Sequence, residues 1–397
     1  MKKLIAFEEG LSAVLRNAGK PEAVVVPLSL SLGRVLAADC RSPFPSPGFD
    51  QSAMDGYAFR YEDFIAAQPL RIIDIIKAGD NKKTKWTKGT CTRIFTGAPI
   101  PTGADTVVMQ EKVVVRQNEL LIQDDRLVKG SNVRLKASHL QSGQIIARKG
   151  TRITAPLIAV LAAAGNASVS VIKQPTFGII VTGDELVKPG DKLKHGQVYE
   201  CNSYSLQAAL QSVLPGVKTK TYRVRDSAKA TLAGIKKALK ENDCILLTGG
   251  VSVGDFDFVV PALKEAGVKI IFHKLLQKPG KPVCFGKLNQ QLVFGLPGNP
   301  ASVLSCFYTL VWPSLVKFAG AVSGVKENLP LSHSYHSKPG LTRFLKALVK
   351  NGKVTILKDQ ESYKLNSFAE ANALVKLPAD IASVDEGESV KVIFLPL

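Results

Sequence analysis

Apolar and polar positions alternate with different periods along this chain. From residue 176 to about 318, apolar runs at 177–181, 244–247 and 268–272 are separated by stretches of helical period near 203–214 and 228–240. In the first of those stretches Leu206, Ala209, Leu210 and Val213 recur on one face, behind Asn202 as a cap. Alternating β and α units of this kind predict a parallel sheet with helices on both faces. Residues 70–149 hold short alternating runs such as Asp105-Thr106-Val107-Val108-Met109, cut by Gly and Pro, and predict a β-rich domain. From about 328 the period of two returns (Lys353-Val354-Thr355-Ile356, then Ser389-Val390-Lys391-Val392), which predicts a small β domain. Residues 7–19 predict an amphipathic helix. A second helix is predicted after Thr154 as cap, with Pro156 in its first turn and Gly165 just past its end.

A length of 397 residues is too great for one core, so several domains are expected. With 45% hydrophobic and 21% charged residues the chain falls in the ordinary globular class. No apolar stretch is expected to span a bilayer, and the start MKKLIAFEEG turns acidic too early for a signal peptide. The six cysteines are scattered without a C-x-x-C pair. They are expected to be reduced core residues of a cytoplasmic protein. The formal charge of +19 favours anionic partners, yet the lysines are dispersed and no aromatic-interleaved basic motif occurs. A generally basic surface is therefore the preferred reading, in whose field a small phosphorylated or oxyanionic substrate would also benefit; no nucleic-acid or membrane partner is expected.

The candidate chemistry gathers where ligands bind in doubly wound sheets, beyond the carboxyl ends of the strands. One run ends in Thr182-Gly183-Asp184-Glu185, another in Arg225-Asp226. A third opens the loop TGGVSVGDFDF (248–258), in which Gly249, Gly250 and Gly254 allow close approach of a ligand to backbone N–H groups. That loop ends in Asp255 and Asp257, an odd choice beside a phosphate unless a cation neutralises them. The run at 268–272 leads into Lys274, Lys278 and Lys281. The turn GLPGNP (295–300) leads into a helix, with Asn299 as cap and Pro300 at its first position, a ready anion site. Singly, each feature is compatible with a cap, a turn or a solvated charge. Together they predict phosphate handling, with Glu185 and Asp257 as ligands of Mg²⁺ and the lysines holding an oxyanion. No Ser-His-Asp order or Cys/His pair suggests covalent catalysis.

At these residues the chain resembles the molybdopterin molybdenumtransferase family, the molybdenum insertases. The resemblance rests on SAMDGYAFR (52–60), IFTGAPIPTGADTVVMQE (94–111), GSNVR (130–134), TGDEL (182–186), TGGVSVGDFDF (248–258), KPGKPVCFG (278–286) and GLPGNPAS (295–302). It implies a multidomain α/β protein: a helical linker domain from 1–26 and 145–175, an inserted β-rich domain at 27–144, a central doubly wound α/β domain with a parallel sheet at 176–327, and a C-terminal β domain at 328–397. It implies a homodimer with a shared cleft, to which Asp55 and Thr96 are delivered by the neighbouring subunit. The implied reaction joins molybdate to adenylylated molybdopterin and releases molybdenum cofactor and AMP, with Mg²⁺ or a similar divalent cation.

By motif position the resemblance implies catalytic roles for Asp55, Glu185, Asp226, Asp257, Lys274 and Lys278, with Glu185 and Asp257 as metal ligands. It implies substrate contacts from Thr96, Gly249, Gly250, Ser252, Gly254, Lys281, Pro297, Gly298, Asn299 and Pro300. A molybdopterin adenylyltransferase and downstream molybdoenzymes or carriers are the implied partners. The chain departs from the family where a Gly-Glu-Asp is replaced by Ala137-Ser138-His139, and in Glu200-Cys201-Asn202 and Lys358-Asp359-Gln360-Glu361-Ser362. Adenylyltransfer itself, or a non-catalytic molybdopterin-binding paralogue, are the alternatives.

Overall fold

Six consecutive buried residues make Phe177–Thr182 a strand covered on both faces. It belongs to a six-stranded sheet of spatial order Thr219–Val224, Phe177–Thr182, Cys244–Thr248, Gln291–Leu296, Cys284–Leu288, Lys269–His273. The first four are parallel, as the βα alternation predicts. Cys284–Leu288 is the exception to the expected parallel sheet. It forms a hairpin with Gln291–Leu296 through Asn289 at φ +53° and is antiparallel to both neighbours. That reversal leaves Lys269–His273 running with the parallel set, so its carboxyl end stays on the common rim.

The computed structural model describes residues 4–66, 69–82, 84–251, 258–320, 324 and 326–396. The central sheet lies in the first of two compact units, formed by Met1–Val24, Gly33–Val35 and Ile172–Leu397. On one face, Leu206, Ala209, Leu210 and Val213 of the helix Asn202–Val213 pack with Phe177, Ile179 and Val181. On the other, Ile235, Ala238 and Leu239 of Ala228–Glu241 pack with Ile180, Ile245 and Leu247. The period-two split of one strand between two cores is what places helices on both sides. Asn202 is the first helical residue rather than the cap. The carboxylate of buried Glu200 takes that place, accepting from the Ser203 N–H at 2.7 Å.

Pro300–Ala319 corrects the expectation that no stretch could span a bilayer. It is twenty residues long with a mean hydropathy of 1.3, enough by length and composition. The stretch is 67% buried, however, with Phe307, Leu310, Val311 and Leu315 inside the main core, so it serves as a core helix here.

The C-terminal sheet runs Ile5–Ala6, Leu275–Lys278, Thr342–Lys350, Ala373–Leu377, Ser389–Phe394, Lys326–Pro330, with Lys353–Ile356 paired to Thr342–Lys350. Two of its strands come from far upstream. Leu275–Lys278 was expected to be part of a rim loop; it pairs in parallel with Ile5–Ala6 on one side and Thr342–Lys350 on the other.

The second unit, Val25–Leu32 and Leu36–Val171, holds a six-stranded sheet of order Thr106–Met109, Gly56–Phe59, Thr90–Ile94, Leu70–Ile76, Glu119–Ile122, Val113–Arg116. Its core contains Phe59, Leu70, Cys91, Val108 and Leu120 on one side and Ala58, Ile76, Ile94 and Val107 on the other. Gly56 is fixed by sterics, because a Cβ there would meet the Val108 carbonyl oxygen at 1.8 Å. The helix Ala155–Ala163 is capped as predicted by Thr154, whose side chain accepts from the Leu157 N–H at 3.4 Å.

Candidate active site

Three strand ends of the central sheet meet at one cavity of about 280 Å³. Glu185 follows Phe177–Thr182, Gly249 and Gly250 follow Cys244–Thr248, and Pro297 and Gly298 follow Gln291–Leu296. Asp226 reaches the same wall from the edge strand. Gly249 is needed for this closeness, whereas Gly298 leaves room for a side chain. Gly249 has φ +86°, and a Cβ on it would stand 3.0 Å from the Thr182 carbonyl oxygen; a Cβ on Gly298 would lie 3.8 Å from Gly249 Cα. The turns of Gly249-Gly250 and Pro297-Gly298 thus both line the cavity with backbone.

The electrostatics are unbalanced. Burial raises the Asp226 carboxyl above its ordinary value, with the charge of nearby Asp184 acting in the same direction. A hydrogen bond from the Asp184 backbone opposes the shift in part; separately, the Asp226 N–H donates to Asp184 Oδ1 at 3.4 Å. Glu185 is exposed, and among the described residues neither it nor Asp226 takes part in an ion pair. No group of three His, Cys, Asp or Glu among the described residues could by itself cage a metal. Two unpaired carboxylates beside exposed glycine turns instead fit a cation completed by water and phosphate oxygens, the usual habit of Mg²⁺.

A second cavity of about 280 Å³ shares Glu185, Gly249 and Gly298 with the first and extends to Glu200, Asn202, Thr248 and Asn299. Asn202 Nδ2 donates to the Gly298 carbonyl at 2.9 Å, tying the GLPGNP turn to the neighbouring helix. Thr248 is 1% exposed, and its Oγ1 has no partner among the described residues. Its sequence signal is weak: a threonine at a strand end looks like any β-branched residue.

The expected open helix terminus after GLPGNP is partly sealed. Asn299 makes no side-chain cap; its Nδ2 donates to Ser362 Oγ at 2.7 Å, and the Ala301 N–H donates to the Ser362 carbonyl at 3.1 Å. The donor meant for a ligand is thus taken by a residue some 60 positions downstream. Nor does the structure bring the lysines to these walls. Lys274, at φ +77°, gives its N–H to the Val283 carbonyl, and the chain then turns away into Leu275–Lys278. Lys278 and Lys281 are exposed, and none of the three lines either cavity. Ser252, Gly254, Asp255 and Asp257 lie outside the described residues.

In the second unit, Asp55 and Thr96 are joined directly. Asp55 Oδ1 accepts from both the N–H and the Oγ1 of Thr96, each at 2.8 Å. His139 sits exposed in a turn, its main-chain N–H on the Ser46 carbonyl at 3.0 Å. The cysteines are free thiols; Cys91, Cys284 and Cys306 are pushed up to about 12 by burial, and Cys244 is raised for the same reason.

A carboxylate-lined, glycine-walled cleft at the carboxyl ends of a mixed α/β sheet, carried with two further β-rich regions, defines a multidomain α/β protein equipped for a phosphate-bearing ligand. Comparison with known proteins gives the family. Residues 5–165 match the MoeA N-terminal region (domain I and II), 178–317 a probable molybdopterin binding domain, and 328–395 the MoeA C-terminal region (domain IV). The chain is 36% identical to a molybdopterin molybdenumtransferase from a Nostoc species, covering 94% of this chain and 89% of that one. It is 31% identical to one from Staphylococcus epidermidis, covering 98% and 95%. A crystal structure of the molybdopterin biosynthesis MoeA protein from Pyrococcus horikoshii superposes with a TM-score of 0.83 at 32% identity, over 99% of both chains. The chain belongs to the molybdopterin molybdenumtransferase (MoeA) family.

Proposed function

We propose that this protein is a molybdenum insertase, which takes adenylylated molybdopterin and molybdate and releases molybdenum cofactor and AMP. The observation that carries this reading is one cavity in which Glu185 and Asp226, neither in an ion pair among the described residues, face the turns of Gly249, Gly250, Pro297 and Gly298. The N–H groups of glycine turns suit phosphate oxygens. Glu185 and Asp226, with Asp257 by family resemblance, are the residues that would hold a divalent cation such as Mg²⁺. When bound, that cation would neutralise charge on the phosphates whose bond is cleaved. Asp226 would gain from it, since a half-buried carboxylate beside Asp184 is costly to ionise alone.

We further infer a homodimer in which Asp55 and Thr96 serve the partner's cleft. The support is family resemblance and the firm seating of Asp55. A cytoplasmic location is in keeping with four buried free thiols.

The direct test incubates the purified protein with adenylylated molybdopterin, molybdate and Mg²⁺ and measures AMP by chromatography. AMP is expected only when all three are present and is lost on chelation. Folded protein that releases none would refute the insertase. Consumption of ATP with unmodified molybdopterin would point to adenylyltransfer instead. Mixing inactive Asp55→Ala and Asp226→Ala chains tests the shared cleft: partial recovery is expected, and inactive heterodimers confirmed by mass would rule it out.

A further inference from the structure

The geometry points to Arg93 as a positioning residue that fixes Asp55 and its loop for the reaction just proposed, on which this inference rests. Arg93 lies on Thr90–Ile94, three residues before Thr96 and across the strand pair from Tyr57. Its guanidinium contacts two aromatic rings and makes two hydrogen bonds. The Tyr57 ring lies 5.0 Å from its centre and the Phe95 ring 4.9 Å, so aromatic rings fix its orientation. Nη1 donates to the carbonyl of Gly56, the residue after Asp55, at 3.1 Å, and Nη2 donates to Gln110 Oε1. The Gln110 N–H in turn donates to the Asp55 main-chain carbonyl at 3.0 Å.

One planar fork therefore ties down the two segments that flank Asp55, while Thr96, from the same strand end, grips its carboxylate. The charge of Arg93 also adds to the two Thr96 hydrogen bonds that keep Asp55 ionised. Lysine has a point charge without a fork and could not make both bonds here.

The test compares Arg93→Ala, Arg93→Lys and Asp55→Asn with the double variant Asp55→Asn/Arg93→Ala, all as full-length protein. Arg93→Ala is expected to lower kcat for AMP release by roughly ten- to a hundredfold with KM within about twofold, the signature of misplacement rather than lost binding. Arg93→Lys is expected to recover little of this. In the Asp55→Asn background the loss of Arg93 should cost no more than about twofold further, because its effect runs through Asp55.

Full activity of either single Arg93 variant would overturn the assignment. So would a KM-only defect, or an undiminished loss in the double variant, which would make Arg93 an independent substrate contact. Amide hydrogen exchange at Thr96 gives a readout independent of turnover and is expected to quicken in Arg93→Ala. Wild-type protein that releases no AMP, yet whose Thr96 protection depends on Arg93, would sink the insertase and leave the positioning role standing. Unchanged exchange and unchanged rates in an active enzyme would do the reverse.

Discussion

Asp55 and Asp226 are both aspartates beside strand ends, in different units of the chain, and their surroundings push them in opposite directions. Asp55 is held below its ordinary carboxylate value by the Thr96 N–H, then the Thr96 hydroxyl, with the charge of Arg93 adding to both. Asp226 is raised by burial and by the like charge of Asp184. The first carboxylate has its partners built into the fold. The second is left short of positive charge, in a cavity whose described walls offer glycine N–H groups and another carboxylate. A group kept satisfied suits a fixed role, whereas a group kept costly is one that an incoming cation can stabilise.

This contrast is open to test, and the largest effect is expected at Asp226. Asp226→Asn should lower AMP release on the order of a hundredfold or more, the cost of losing one preorganised electrostatic group. Its folded-state value is raised, so ionised Asp226 opposes folding at neutral pH, and that penalty vanishes below the unfolded-state value of about 3.9. The variant should therefore melt no lower than wild type at pH 7, with any gain disappearing toward pH 3. A clear fall in Tm at pH 7 would show that Asp226 is satisfied after all.

Asp55→Asn should cost less activity, roughly ten- to a hundredfold, and carry the opposite stability sign. Its folded-state value is depressed, so it contributes stability above about pH 3.9 that is lost as pH falls through the folded value. Urea midpoints should separate from wild type at pH 7 and converge in acid; a constant difference would mean that charge is not the cause. Thr96→Val removes the hydroxyl bond and keeps the amide bond, and a fall of only a few-fold, about threefold, is expected in turnover. The smallest change is at Glu200, in the same unit as Asp226. Glu200 is a satisfied carboxylate, and Glu200→Ala should lower the urea-derived stability by about 1 kcal/mol through loss of the helix cap. An effect near zero would mean that water replaces the cap freely.

The rim of the central sheet is legible in the sequence because its parts are local. Apolar runs followed by glycine, proline and acid need only the strand direction to be placed, and Glu185, Asp226, Gly249, Gly250, Pro297 and Gly298 do converge. What is illegible depends on partners far along the chain. Leu275–Lys278 has no period of two, and its identity as a strand comes from Ile5–Ala6 and Thr342–Lys350 on its two flanks. The sealing of the Pro300 helix by Ser362 is likewise invisible to a local pattern, which reads Asn299 as a cap and finds a free terminus. Arg93 escapes notice because an arginine inside a strand looks like a solvated face until the Tyr57 and Phe95 rings are seen beside it.

The pairing of Ile5–Ala6 with Leu275–Leu276 also sets a schedule for the chain as it is made. About 270 residues separate the partners, so at ~5–20 residues per second the first strand waits roughly a quarter-minute to nearly a minute for its neighbour to be synthesised. Phe7, whose ring packs 4.7 Å from Phe344, waits longer still. Through that interval the opening strand and its amphipathic helix have an apolar face and no native surface to cover it. Residues 5–7 are thus made long before the surfaces they pack on, and the C-terminal sheet closes on segments synthesised far apart in time.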